Sequence, residues 1–266
     1  MIKLINIIQE LNIGKRLFAD PTPPFSRVGI QRRLTDLLKA LNIPYEDNTD
    51  DENAVLKSIE DYLRKPENAT DLKSNLLKLL PLKSQYPQLL DPAQDPYMKV
   101  DFVYRGATID TKKLVNLVNK NGSKKGSDYE DFITVRADGM KVTSNTTRGF
   151  LSFTANKVVA ETFATDTQKA QLSLERLAQR YPVVLKCDVS DMSDNLILAP
   201  SFADALVFSE QETIYIGNTF PCYKVLVVSP SALDNLGTPK EVYNMRNSLP
   251  DELQELMVAL EYIDQD

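Results

Sequence analysis

From residue 1 to about 80 apolar positions recur with the period of a helix. Leu4, Ile7, Ile8 and Leu11 fall on one helical face, and Ile30, Leu34, Leu37, Leu38 and Leu41 do the same in the next segment. Between them lies Asp20-Pro-Thr-Pro-Pro24, whose prolines fix φ and withhold donors, so a rigid non-helical connector is expected. Val55, Ile59, Tyr62 and Leu63 predict a third helix, and Leu72, Leu76, Leu77 and Leu80 a fourth that stops at Pro81. Pro81, Pro87, Pro92 and Pro96 then interrupt a stretch with little periodicity, which marks a boundary.

Beyond residue 97 the pattern changes to short apolar runs of strand type: Val100–Tyr104, Gly149–Phe153, Pro182–Cys187, Thr213–Ile216 and Cys222–Val228. Helical patterns intervene around 111–119, 155–164 and 168–180. Lys120–Ser127 reads as a basic surface loop, without the glycine and lysine spacing of a phosphate cradle. At the C-terminus a capping pattern from Ser248 to Asp251 precedes Leu253, Leu256, Leu260 and Ile263 on one helical face. Between Pro250 and Asp266 stand six Asp or Glu and no Lys or Arg, the composition of a solvated face or of a partner-docking helix. The expected class is α+β: a helical N-terminal part with its Pro-rich connector (1–96), a mixed, mostly antiparallel β core (97–230) and an acidic helical tail (231–266).

Composition narrows the chemistry. With 266 residues, 42% of them hydrophobic, the chain can bury a core without staples. A net charge of −6 gives no global attraction to polyanions. Histidine is absent, which removes Ser-His-Asp and Cys-His catalysis and histidine-rich metal sites, so no metal is implied. Cys187 and Cys222 each sit in an apolar run and are expected to be reduced core thiols. The amino terminus is broken by Asn6, Gln9, Glu10 and Asn12, unlike a secretory signal, and no stretch reaches the ~20 apolar residues of a membrane span. A cytoplasmic protein without a membrane partner is expected.

Three local features carry candidate chemistry. Tyr104-Arg105-Gly106 closes a predicted strand, where Arg105 would clamp a phosphate and Gly106 would let a ligand approach the backbone. In Gly149-Phe-Leu-Ser-Phe-Thr-Ala155, Ser152 and Thr154 share a strand face, and the helix that follows puts Ala160 and Phe163 on a common face. In Phe208-Ser-Glu-Gln-Glu-Thr-Ile-Tyr215, Glu210 and Glu212 share one side of a strand start, and two sheltered carboxylates disfavour joint ionisation. Each taken alone has an ordinary structural reading as a surface arginine, a packed aromatic or a solvated strand start.

In this order the three resemble the Arg-Ser-Glu class of mono-ADP-ribosyltransferases, which includes bacterial toxins and bacteriophage enzymes. The resemblance covers roughly 97–230 and implies a β-sandwich core that consumes NAD as a cosubstrate. It implies that Arg105 holds the NAD phosphates, Ser152 orients the catalytic Glu212, Phe163 supports the nicotinamide pocket and Glu210 activates the acceptor. Where the class commonly has Ser-Thr-Ser, this chain has Ser152-Phe153-Thr154. Glu at position 210 implies an arginine side chain of a target protein as acceptor. The segment 200–208 stands in the place of a target-recognition loop, with Phe202 and Phe208 as contacts, and Arg176 or Arg180 would add a phosphate contact.

Two other readings stay open. The acceptor would be an RNA or DNA base if Lys120, Lys124, Lys125 and Arg136 guide a strand. An inactive binding module, held by an antitoxin or inhibitory partner or by a phage–host complex, would use the acidic C-terminal helix for docking.

Overall fold

The structure, a computed structural model, describes residues 73, 76–77, 80–84, 87–125, 131–146, 148–169, 173–206 and 211–262. The helices expected over Leu4–Leu63, the Asp20–Pro24 connector, and Phe208, Glu210 and Ile263 lie outside those residues. The fold is mixed α/β around a mostly antiparallel sheet, and the chain divides into two compact units. One takes the described residues up to Met98 together with Ile197–Glu212, and the other Lys99–Leu196 with Thr213–Asp266.

In the first unit, a short helix α1 (Pro87–Leu90) and a 3-10 turn (Pro92–Gln94) lead to Asp95. The Asp95 carboxylate accepts from the backbone N–H groups of Tyr97 (2.9 Å) and Met98 (3.1 Å), and from both the N–H and the hydroxyl of Ser201, each at 2.8 Å. It thereby ties the proline-rich segment to the first turn of the helix Pro200–Leu206, where backbone donors have no helical partner. Leu76, Leu90, Leu198, Phe202 and Ala203 are buried in this unit.

The second unit opens with β1 (Phe102–Asp110), which ends where the Asp110 carboxylate caps α2 (Thr111–Asn121) by accepting from Lys113 N–H at 3.0 Å. Gly122, at φ 72°, stops that helix. There follow β2 (Ser123–Lys125), β3 (Phe132–Thr143), β4 (Phe150–Thr154), α3 (Lys157–Lys169), α4 (Leu174–Gln179), β5 (Arg180–Asp188), α5 (Val189–Met192) and the two-residue β6 (Leu196–Ile197). After α6 (Pro200–Leu206) come β7 (Glu212–Ile216), β8 (Thr219–Val228), α7 (Pro239–Met245) and α8 (Asp251–Ala259). The strand order is β2-β3-β8-β5-β1-β4-β7-β6. The eight strands thus form one hydrogen-bonded series rather than two separate sheets. β1 runs against β5 from Phe102↔Asp188 to Asp110↔Arg180, whereas Tyr104↔Thr154 alone registers it with β4.

The predicted strands all form, most of them extended by a few residues. β3 has no counterpart among them because Asp138-Gly139 breaks its alternation. Gly139 takes φ 78°, and the pairing with β8 shifts register between Arg136 and Met140, a bulge rather than a turn. The basic segment read as a loop contains β2. The 168–180 helix is replaced by the end of α3 and by α4, which Ser173 caps and which gives way to β5 at Arg180.

Ser248 does not cap the last helix. Its hydroxyl donates to the Met245 carbonyl at 2.7 Å, and Pro250 holds the cap position of α8 without a side-chain bond. The apolar face of α8 packs against α2 and α4, with Leu253, Leu256, Met257 and Leu260 buried. Cys187 and Cys222 are free and buried. Among the described residues no helix is long and apolar enough to cross a membrane.

Candidate functional site

Arg105 extends from the middle of β1, and its guanidinium donates to the backbone carbonyl of Ser152 on β4 at 2.5 Å. It also lies 5.9 Å from the centroid of the Phe153 ring. A charge-assisted bond on one side and a π face on the other hold this cation in one place. Phe153 is in turn seated in an aromatic cluster, edge-on to Phe220 at 5.0 Å and to Tyr215 at 6.2 Å. The Tyr215 hydroxyl donates to the Thr219 carbonyl at 2.9 Å, and burial pushes its pKa up.

Strand alternation explains the division of labour in β4: Phe153 points into the cluster, while Ser152 and Thr154 belong to the other side. Ser152 is half-buried and Thr154 buried. The Thr154 oxygen accepts from Asn156 N–H at 2.9 Å, and the Asn156 side chain accepts from Val158 N–H at 3.0 Å, so the two residues start α3.

The tight approach at Gly106 is made by α3 itself. A Cβ there would stand 2.3 Å from the Ala160 carbonyl oxygen, 2.6 Å from the Ala164 nitrogen and 2.8 Å from the Phe163 Cβ. Glycine is therefore required for helix-on-strand contact, which accounts for the residue without a ligand. Phe163 is set beside it and is 45% exposed.

Glu212 is half-buried as the first residue of β7 and lies at the margin of the first unit; Arg105, Ser152 and Phe163 belong to the second. Gln211 before it takes φ 55°, a left-handed conformation that few side chains adopt. Glu210 and Phe208, the rest of this motif, fall outside the described residues. Phe202 is buried at 4%, a packed residue of α6 rather than an exposed contact. The Arg180 guanidinium donates to the Thr108 hydroxyl at 2.9 Å and to its carbonyl at 2.8 Å, and Arg176 is exposed on α4.

On the paired strands β5 and β8 lie the buried Cys187 and Cys222. The Cys222 thiol donates to the Lys224 carbonyl at 3.2 Å, and the Cys187 pKa is raised by its hydrogen bond with Cys222 and by burial, with a smaller opposing effect of Arg105. The Cys187 thiol therefore stays protonated, and both residues act as core hydrophobes. The local motifs of the sequence do not point to the aromatic cluster as a support for Arg105. Its signal is the apolar partner of each strand alternation, Phe153, Tyr215 and Phe220. Comparison of the chain with protein-family models, curated proteins and solved structures finds no match.

Proposed function

We propose that the chain is a mono-ADP-ribosyltransferase, which cleaves NAD at the nicotinamide–ribose bond and transfers ADP-ribose to an arginine side chain of a target protein. The observation that carries this reading is the bond from Arg105 to Ser152: two residues of the resemblance, 47 positions apart in sequence, are in direct contact on adjacent strands. On this reading the single series of strands would bend into the two layers of the sandwich the class implies at the one register pair between β1 and β4.

Arg105 would bind the NAD phosphates through a guanidinium whose direction is already fixed, which lowers the ordering cost of binding. Phe163, exposed beside Gly106, supplies an apolar surface for the nicotinamide ring. Glu212 would accept from the ribose 2′-hydroxyl and stabilise the positive charge that develops at the ribose C1′ as the C1′–N bond breaks and nicotinamide leaves with the bonding pair. The acceptor nitrogen then bonds to C1′, and its proton passes to Glu210.

The test is nicotinamide release from NAD by the wild type and by Glu212→Gln, with and without a cell lysate containing protein and RNA. Turnover lost in the variant, with label moving into protein, supports the proposal. Label in ribonuclease-sensitive material moves the acceptor to nucleic acid, and no turnover in any sample sinks the enzymatic reading.

A further inference from the structure

On the opposite side of β1 from Arg105, the sheet carries two successive cross-strand rows of different character. The register aligns Thr134, Leu226, Val184 and Gly106 in one row, and α3 lies over its Gly106 end. Two residues further along each strand, and so on the same face, the next row reads Arg136, Lys224, Lys186 and Tyr104. Three cations thus stand directly opposite one another across β3, β8 and β5, an arrangement that disfavours folding.

Among the described residues Arg136, Lys186 and Lys224 make no ion pair. Lys157 at the start of α3 adds a fourth positive charge close enough to act on Lys186, although it is itself paired with Glu161 at 3.3 Å. Asp188 also acts on Lys186, but its carboxylate caps α5 by accepting from the Ser190 N–H and hydroxyl. Partial burial and the neighbouring lysines lower the Lys186 pKa, and Asp188 opposes them only in part.

Aromatic rings interleave with these cations. The Lys186 ammonium sits 3.6 Å from the Phe102 ring centroid, Phe102 stacks on Tyr223 at 5.7 Å with 20° between the planes, and the Lys224 ammonium lies 5.1 Å from Tyr223. Tyr223 is 39% exposed. An acidic polypeptide would need the cations alone. Cations alternating with one exposed ring, Tyr223, and the half-buried rings Phe102 and Tyr104 match a chain that alternates phosphates with flat bases. All of this lies in a protein whose net charge is −6, so the patch reverses the local field.

We propose that the Arg136–Lys224–Lys186 row with Phe102, Tyr104 and Tyr223 is a docking face for single-stranded nucleic acid. None of these residues has a role in the NAD reading, although Gly106, with Phe163 beside it, faces the same side of β1.

The test is fluorescence anisotropy of a fluorescein-labelled oligouridylate of about 12 nucleotides, within the site sizes of single-strand platforms, with full-length wild type, Lys186→Gln/Lys224→Gln and Tyr223→Ala. Thermal melting confirms that each variant is folded, and Arg136→Gln, at an exposed position, replaces the double variant if that one is not. Wild-type binding should weaken with salt, and the double variant should bind at least about tenfold more weakly. Its salt slope should fall by about 1.4, at about 0.7 per phosphate contact on a single strand. Tyr223→Ala should weaken binding while leaving the slope unchanged. Absence of wild-type binding, unaltered affinity in the lysine variant, or equal competition by an oligoglutamate of the same charge would each overturn the proposal.

Discussion

The Arg105 guanidinium bonds across from β1 to the Ser152 carbonyl of β4, at the point where these strands are joined by the single register pair Tyr104↔Thr154. One side chain therefore both braces a thinly paired strand junction and fixes a cation in direction. Lysine can supply the charge but not the planar fork. Arg105→Lys should leave the fold intact and reduce nicotinamide release by about 10²-fold, the scale of losing one preorganised electrostatic contact. Steady-state assay alongside far-ultraviolet circular dichroism checks this, and near-normal turnover would count against Arg105 as an NAD contact.

Gly106 separates a steric demand from a ligand demand. Its substitution by alanine drives a methyl group into the backbone of α3, at Ala160 and Ala164, where no flexible side chain can yield. Overpacking of this kind costs about 1–3 kcal/mol. Gly106→Ala should lower the urea midpoint of the second unit accordingly. If stability is unchanged and NAD affinity alone falls, the glycine serves ligand approach instead.

Legibility followed physical locality. The apolar runs of β5, β7 and β8 declare themselves because both faces of each strand are largely buried, and the helical spacing of Leu253, Leu256 and Leu260 marks the buried side of α8 and its C-cap. β3 escaped because its bulge puts Asp138-Gly139, a turn signal, inside a 12-residue strand. At the site, Arg105 and Ser152 are legible as residue types in order, but their bond engages a backbone carbonyl, which no side-chain pattern encodes. The cation row is the least visible. Arg136, Lys186 and Lys224 lie on three strands far apart in sequence and meet only through register.

Asp95 is the organising residue of the first unit. Its carboxylate accepts four hydrogen bonds, two of them from Ser201 at the start of α6. Hydrogen bonds to a charged acceptor contribute about 1.5–3 kcal/mol. Asp95→Ala should release the first turn of α6, seen as faster amide hydrogen exchange over Ser201–Ala203, while β5 and β8 keep their protection. A variant with unchanged exchange in α6 would refute this role.

The C-terminal helix gives a direct choice between core and docking surface. Leu256 is fully buried where α8 meets α2 and α4. Leu256→Ala should cost about 2–5 kcal/mol, whereas Glu255→Ala on the exposed side should change stability by no more than about 0.5 kcal/mol. Denaturant titration of both variants decides it. Equal, small effects would mean that the apolar stripe is not an integral part of the second unit.

The Cys187 thiol sets a pH dependence whose sign follows from its burial. Cys187 is held protonated in the folded chain, with its pKa raised by the Cys222 hydrogen bond and by desolvation, while in the unfolded chain it ionises in the ordinary thiol range near 8.5. Above that pH the unfolded state binds fewer protons than the folded state, so the free energy of unfolding falls as pH rises. The contribution is fully present below about pH 8 and declines above it. Cys187→Ala should flatten this alkaline decline, measured as the denaturation midpoint between about pH 7 and 10. The same burial keeps both thiols from a maleimide reagent until the chain unfolds, so labelling of the native protein at a rate set by reagent alone would show that the thiols are accessible and that the alkaline decline has another origin.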